Sequence, residues 1–293
     1  MPHEPSAIWQ VSGASVRGAS HVRQGLPNQD AIAWRSGADV RDPLVIALSD
    51  GHGSPRCLRS HKGAKLAARL ALDLLEQFAA QHIDEPNLST VKSAAEDHLP
   101  RAIVRSWQDL VQDDLASRPF CQQDWDLLTE RAGSAGQAQV QARPVVAYGA
   151  TLLGTLITPR YLLFLQLGDG DILIVDAKGN VDSPPLPHDP RLLANQTTSL
   201  SGSKAWADVR LHFQPLAGRS PDMIMLSTDG YANSFADDAG FHQAGIDLLF
   251  AVRRLGIRRV TYRLKKWLRS TSELGSGDDI TVGLVYRSTL LDS

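Results

Sequence analysis

Two patterns of apolar and polar positions alternate along the chain. Short apolar runs bounded by Gly, Pro, Asn or Asp occupy residues 44–49, 161–167, 171–176 and 280–286, and read as strands. Residues 9–15 and 31–34 add two strands ahead of them, separated by a loop carrying Gly25, Pro27 and Asn28. Residues 145–157 join the set, linked to 161–167 by a Thr158-Pro159-Arg160 turn. Ala177-Lys178-Gly179-Asn180 is a hairpin turn. The longer stretches have helical periodicity. In 63–81, Leu66, Leu70, Leu74 and Phe78 recur at i, i+4 spacing, with Ala67, Ala71 and Leu75 on the same broad face. In 89–115, Val91, Ala95, Leu99, Ile103, Trp107 and Leu110 do the same behind a Ser89-Thr90 cap, and Pro100 predicts a kink or break. Two late helices are predicted over 238–255 and 258–272.

Two segments carry no such pattern. Residues 116–144 read as a linker or flexible excursion, because 133–141 is rich in Gly, Ala, Ser and Gln. Residues 183–218 are proline-bearing and irregular, a flap-like segment with one strand candidate at 207–213. No internal repeat is visible. Strands interspersed with paired helices, without strict alternation, predict an α+β fold and not a doubly wound parallel sheet.

Composition adds bounds. With 293 residues, 43% hydrophobic and 21% charged, the chain is expected to form a single domain over 1–293. A formal charge of -2 gives no general attraction to nucleic acid or anionic lipid. The clusters Arg253-Arg254, Arg258-Arg259 and Lys265-Lys266 read as solvated helix faces. Cys57 and Cys121 are the only cysteines and show no pairing pattern, so two free thiols in a reducing compartment are expected. Residues 1–10 lack the features of a secretory leader, and no run reaches the ~18 to 20 apolar residues that span a bilayer. A cytoplasmic monomer with no membrane partner is the expectation.

The chemistry lies in carboxylates. Asn28-Gln29-Asp30, Leu48-Ser49-Asp50-Gly51-His52-Gly53, Leu226-Ser227-Thr228-Asp229-Gly230 and Gly277-Asp278-Asp279-Ile280-Thr281 stand far apart. Asp50 and Asp229 each end an apolar strand run and precede glycine, which permits a sharp turn and close backbone approach to a ligand. Asp-Gly by itself is most often only a turn. Clustered carboxylates without a cation repel one another, so several acids at the tips of buried strands point to Mg or Mn, which take six oxygen ligands.

The ordered set resembles the metal-dependent type 2C serine/threonine protein phosphatases, over residues 11–286. Gly149-Ala150-Thr151-Leu152 looks like that family's Gly-Ser/Thr-Thr strand, and Leu167-Gly168-Asp169-Gly170 like its Gly-Asp-Ser turn. Ser20-His21 followed by Pro27-Asn28-Gln29-Asp30 resembles the bacterial branch. The resemblance implies two packed, mainly antiparallel sheets flanked by pairs of antiparallel helices. It also implies hydrolysis of phosphoserine and phosphothreonine in proteins phosphorylated by a partner kinase, through a water bridging two Mg or Mn ions. Carried over by motif, Asp50 bridges both ions, the Gly51 carbonyl binds the second, Asp229 and Asp278 hold the first, and Asp30 acts at the edge through bound water. Asp279 is supporting. His52 is the candidate proton donor to the leaving alkoxide.

Departures from the pattern matter too. Gln29 stands where the family commonly has an acid, and Gly25 where many members carry a phosphate-binding arginine; Arg23 is near enough to supply a guanidinium. Val146 or Ala147 occupies the place of an aspartate that serves a third metal, so a third ion is expected to bind weakly or differently. These gaps keep open a regulatory pseudophosphatase that binds phosphoproteins with little turnover, and a hydrolase of small phosphate esters. His21 and His61 flank two motifs and read as structural. Asp169 and Asp171 lack the remaining ligands of a calcium loop, so Asp169 reads as a turn cap behind the site.

Overall fold

The computed structural model describes residues 8–37, 42–187, 197–216 and 220–288. The leader reading of residues 1–10 falls partly outside them, as do residues 188–196 and 217–218 of the flap-like segment. Two five-stranded sheets are formed, every pairing antiparallel. The first has the order β1 (Ile8–Val16), β10 (Ile280–Ser288), β9 (Met223–Ser227), β6 (Asp171–Val175), β7 (Val181–Asp182). The second has the order β2 (Ala31–Arg35), β3 (Leu44–Ser49), β4 (Leu152–Ile157), β5 (Tyr161–Leu167), β8 (Arg210–Pro215).

Period-2 alternation explains the layering. Along β3, Leu44, Ile46 and Leu48 enter a cluster shared with Ile224 and Leu226 of β9, whereas Val45 and Ala47 face helices. Met223 and Met225 likewise face the other helix layer. Both faces of these strands are buried, so they read as unbroken apolar runs and not as half-polar ones. Glycines let the two sheets approach: a Cβ on Gly13 would run into Ile32 Cδ1 and one on Gly283 would lie 2.5 Å from Ile46 Cδ1.

Outside the second sheet pack α2 (Ser60–Gln81) and α3 (Leu88–Ser117); outside the first pack α7 (Asp238–Leu255) and α8 (Ile257–Leu274). In α2 the deepest face belongs to Ala64, Ala67, Ala68, Ala71 and Leu75, while Leu66, Leu70 and Leu74 are half-buried beside it. Small residues let the helix sit close to the sheet. In α3 the cap is Asn87, whose side chain accepts from Ser89 N, and not the predicted Ser89-Thr90. The helix runs unbroken past Pro100, because the stripe from Val91 to Val111 is buried on both sides of it. Trp107 is fully buried and donates from Nε1 to Gly63 O at 3.0 Å; side chains of this size, fully buried, stabilise by roughly 1.5–3 kcal/mol each or more.

The clearest difference from the sequence reading is in residues 116–144. They contain α4 (Gln122–Ala142), with a non-helical Gly133 (φ 69°, ψ 177°) inside it, followed by a 3-10 turn at Pro144–Tyr148. Only Leu128, Gly136 and Val140 of α4 are buried, too sparse a stripe to register as periodicity. Its start is fixed from outside by Arg59, which donates to Arg118 O, Pro119 O, Asp124 Oδ2 and the Tyr148 hydroxyl and lies 4.2 Å from the Phe120 ring centroid. The 3-10 turn also replaces the first half of the strand expected over 145–157. Short helices α1 (Ala19–Gln24), α5 (Ala205–Asp208) and α6 (Asp229–Ala232) complete the described fold; α5 occupies the start of the strand expected at 207–213.

Candidate metal centre

Antiparallel pairing gathers the four motifs. Asp30 precedes β2 and Asp50 follows β3, and Ala31 pairs with Ser49, so the two acids stand side by side at one sheet end. In the other sheet Ser227 pairs with both Val282 and Asp171, which brings Asp229, Asp278 and the Gly168-Asp169-Gly170 turn to the same end. The sandwich then sets the two groups of acids against each other.

Asp30 is 4% exposed. Its Oδ2 accepts from Thr228 Oγ1 at 2.8 Å and Thr281 Oγ1 at 2.7 Å, both from the opposite sheet. Its Oδ1 is buried without a hydrogen-bond partner. Burial and then Asp279 push its pKa up to about 8, against the pull of the two threonines. Asp50 is raised well above the carboxylate range by burial, then by Asp30 and Asp229, with which it shares a hydrogen bond. Burial is also the largest cause raising Asp229 and Asp278. Asp171 is pushed up to about 7 by burial, Asp229 and Asp169. The acid cluster therefore extends to Asp169 and Asp171, the pair that lacks the ligands of a calcium loop. Asp169 Oδ2 accepts from Thr197 Oγ1, a contact across the chain and not a cap of its own turn.

The loops are built for close approach. Gly51 N donates to Gln29 O at 3.2 Å, and a Cβ there would lie 2.7 Å from both Gln29 O and Ser60 O. Asp50 is bracketed by Thr151, whose Oγ1 accepts from Asp50 N at 3.0 Å and whose N donates to Asp50 O at 2.8 Å. Asp279, the supporting residue, accepts from Gly18 N and Gln29 N at 2.6 Å each, which ties the loop before β2 to β10. His21 Nδ1 lies 2.9 Å from Asp279 Oδ2, off the line of a hydrogen bond, and its Nε2 3.8 Å from Asp278 Oδ1. Among the described residues, His21, Asp278 and Asp279 are the grouping whose ligand-type atoms all lie within 4.8 Å of one another. Asp279 already spends both oxygens on backbone donors; Asp278 is the member that also acts on Asp50 and Asp229.

His52 N donates to Gly149 O at 3.0 Å, while its Nε2 is buried without a partner. Burial lowers its pKa and Asp169 works in the opposite direction. His61 Nδ1 is also buried and unpartnered, and its pKa is lowered by burial and by Lys65. Arg23 sits exposed in the last turn of α1, with no polar partner among the described residues. Ala147 is fully buried and the 3-10 turn around it offers no carboxylate. Thr228, Thr281 and Thr151 were not singled out from sequence; the signal for them was their place inside or beside the acid motifs.

This donor set fits a hard divalent cation. All its groups are oxygens, the acids raise one another's pKa, and Asp30 Oδ1 is an acceptor with no donor. The arrangement is an α/β/β/α sandwich with an acid cluster at one end of both sheets. Comparison then fixes the family: the model for "Protein phosphatase 2C" matches residues 17–269, and the chain belongs to that family. "Serine/threonine-protein phosphatase 3" of Escherichia coli (strain K12) is 26% identical over 170 residues, 57% of this chain and 53% of that protein, so the chain spans about half the length of the curated relative it matches. Among solved structures, the catalytic domain of the serine threonine protein phosphatase PstP, in complex with 2 manganese ions, matches with TM-score 0.51 and 18% identity over 96% of this chain and 99% of that one. The S. agalactiae serine/threonine phosphatase matches with TM-score 0.56 and 17% identity, over 96% and 100% of the two chains. At these identities the likeness is one of fold.

Proposed function

We propose that the chain hydrolyses phosphoserine and phosphothreonine esters of proteins with the help of two Mg or Mn ions. The observation that carries this reading is the meeting of Asp30, Asp50, Asp229 and Asp278, from four distant motifs, in one mutually repelling cluster with an unpartnered Asp30 Oδ1. Asp50, the Gly51 carbonyl, Asp229 and Asp278 would hold the ions, with Asp30 at the edge; the ions supply an activated water and charge neutralisation at the phosphoryl oxygens. Thr228 and Thr281 fix Asp30 by Oδ2 and so leave Oδ1 as its working acceptor. Asp279 holds the loop that carries Gln29, and the absence of a side chain at Gly51 lets that loop close on the Asp50 turn. His52 Nε2 hands a proton to the departing serine or threonine oxygen. Burial opposes its charged form, so this route weakens as pH rises past a value below that of a free histidine. Substrates are phosphoproteins made by a kinase of the same cell, met in the cytoplasm by a monomer; among the described residues no helix is long and apolar enough to cross a membrane.

The test is phosphate release from a phosphothreonine peptide with Mn or Mg, against added chelator and against Asp229→Asn. Activity falling at least ~100-fold in both controls is expected. Metal binding without turnover would overturn the catalytic reading and leave a phosphoprotein-binding pseudophosphatase.

A further inference from the structure

A cavity of 470 Å³ opens on the flank of His52, between the loop that follows Asp50, the C-terminal end of α4 and the segment after residue 196. Its wall includes His52, Arg56, Gln139, Arg143, Ser199 and Ser201. None of Asp30, Asp50, Asp229 and Asp278 lines it, so it is a neighbour of the acid cluster and not part of it. It borders that cluster at His52 and at Thr197, the donor to Asp169.

Two guanidinium groups face this space, and among the described residues each donates to an uncharged acceptor. Arg56 donates from NH1 to the Gln139 side-chain oxygen, and Arg143 donates from NH2 to Ser201 O at 2.8 Å. Both acceptors are uncharged. Asp208 also lines the cavity, so the wall sets one carboxylate against two guanidiniums. Among the described residues the arginines are thus held in place by one nitrogen each, which leaves further N–H donors turned to the cavity. In a chain of net charge -2, two oriented guanidiniums against one carboxylate in a concave wall favour an anion. Ser199 and Ser201, whose hydroxyls lie 3.0 Å apart, add hydroxyl groups to the wall beside Arg143.

We propose that this cavity is an acidic-residue subsite, in which Arg56 and Arg143 hold a carboxylate or a second phosphate flanking the phosphoserine or phosphothreonine to be cleaved. The inference rests on the phosphoprotein reading above and narrows its substrate class. An extended peptide advances about 3.3–3.6 Å per residue, so a cavity bordering His52 takes a side chain one to three positions from the scissile one. The subsite depends on α4, because Gln139 and the approach of Gly136 to the Arg56 stem, 3.4 Å from a Cβ placed on that glycine, set the Arg56 side chain.

The experiment compares kcat/KM of phosphothreonine peptides that differ only in Ala, Asp or a second phosphothreonine at those flanking positions. The proteins are wild type, Arg143→Gln, Arg56→Gln and the double variant, with p-nitrophenyl phosphate as a substrate that has no flank. Wild type is expected to favour a charged flank roughly tenfold, the preference shrinking at high salt. Arg143→Gln and Arg56→Gln should each erase most of it, Arg56→Lys should keep part of it, and turnover of p-nitrophenyl phosphate should stay within about twofold. A larger gain from Asp or from the second phosphate names the natural anion. No preference in wild type, or one that survives the double variant, overturns the subsite while leaving the phosphatase reading intact. Anisotropy of a fluorescein-labelled Asp-flanked phosphopeptide, measured in chelator, separates the two failures. Binding that is lost in the double variant, together with no phosphate release from any of the peptides in saturating Mn, upholds the subsite and sinks the catalytic reading; equal binding by both proteins sinks the subsite.

Discussion

The buried carboxyl of Asp30 should make the metal-free protein lose stability as pH rises through neutrality. Its pKa goes from the ordinary 3.8 to about 8 in the folded chain, chiefly through burial and then through Asp279. Between those values the folded state keeps a proton that the unfolded chain has released, so folding is favoured at the acid end and weakened toward the alkaline end. His52, His61 and His212, all lowered by burial, act in the opposite sense but only where a free histidine titrates. The clean window therefore runs from pH 6.5 to 8. There Asp30 contributes a slope that approaches 1.4 kcal/mol per pH unit and flattens near pH 8, a loss of about 2 kcal/mol, and Asp50 and Asp171, also raised by burial, add to it in the same sense. For a protein of this length that is about 4–8 °C in melting temperature. The assay is urea or thermal unfolding in chelator at several pH values, for wild type and Asp30→Asn. Asparagine can still accept from Thr228 and Thr281 and carries no charge, so the variant should show a slope reduced by at least about half and greater stability at pH 8. Saturating Mn at about 100 times its Kd should add about 2.7 kcal/mol to wild type at pH 8 and less at pH 6.5, where protons compete for the same oxygens. Wild-type stability that is flat or rising over the window, or an unchanged slope in Asp30→Asn, would refute the reasoning.

Other outcomes follow from single residues. His52→Gln should slow a phosphothreonine peptide by about 10²-fold or more yet barely affect p-nitrophenyl phosphate, whose leaving group departs without a proton; equal losses on both would remove His52 from that role. Gly51→Ala puts a Cβ 2.7 Å from two carbonyl oxygens and should cost about 1–3 kcal/mol in urea unfolding together with weaker Mn binding, whereas unchanged affinity would show that the loop yields. Trp107→Ala should destabilise by about 3–5 kcal/mol, seen as a drop in urea midpoint, since it empties a fully buried site and strands Gly63 O.

Much of the fold was legible because the strands are buried on both faces and end in marked turns. Residues 44–49, 161–167 and 238–255 match the observed elements at both ends. What failed did so for local reasons. In α4 the three buried positions are too few and too small to give a periodic signal, and the helix exists because Arg59 and the 3-10 turn fix its ends. In α3 a proline that reads as a break is carried by packing on both sides. In α2 the leucines chosen as the core face lie beside a strip of alanines, whose small size the sheet requires.

The sequence by itself marked Asp30, Asp50, Asp229 and Asp278 as candidates, because Asp50 and Asp229 each end an apolar run before Gly, a local pattern, and because the four motifs stand in the order of the family they resemble. It also determined that they stand on strand tips. Only the tertiary structure decided that Asp50 touches Asp229, that Asp30 hangs from Thr228 and Thr281 of the opposite sheet, and that Asp169 and Asp171 join the cluster. It alone put Arg56 and Arg143 in one wall beside His52. The physical reason is range: a turn or a strand is set by neighbours a few residues away, whereas these contacts join residues up to 251 positions apart and exist only once the two sheets have packed.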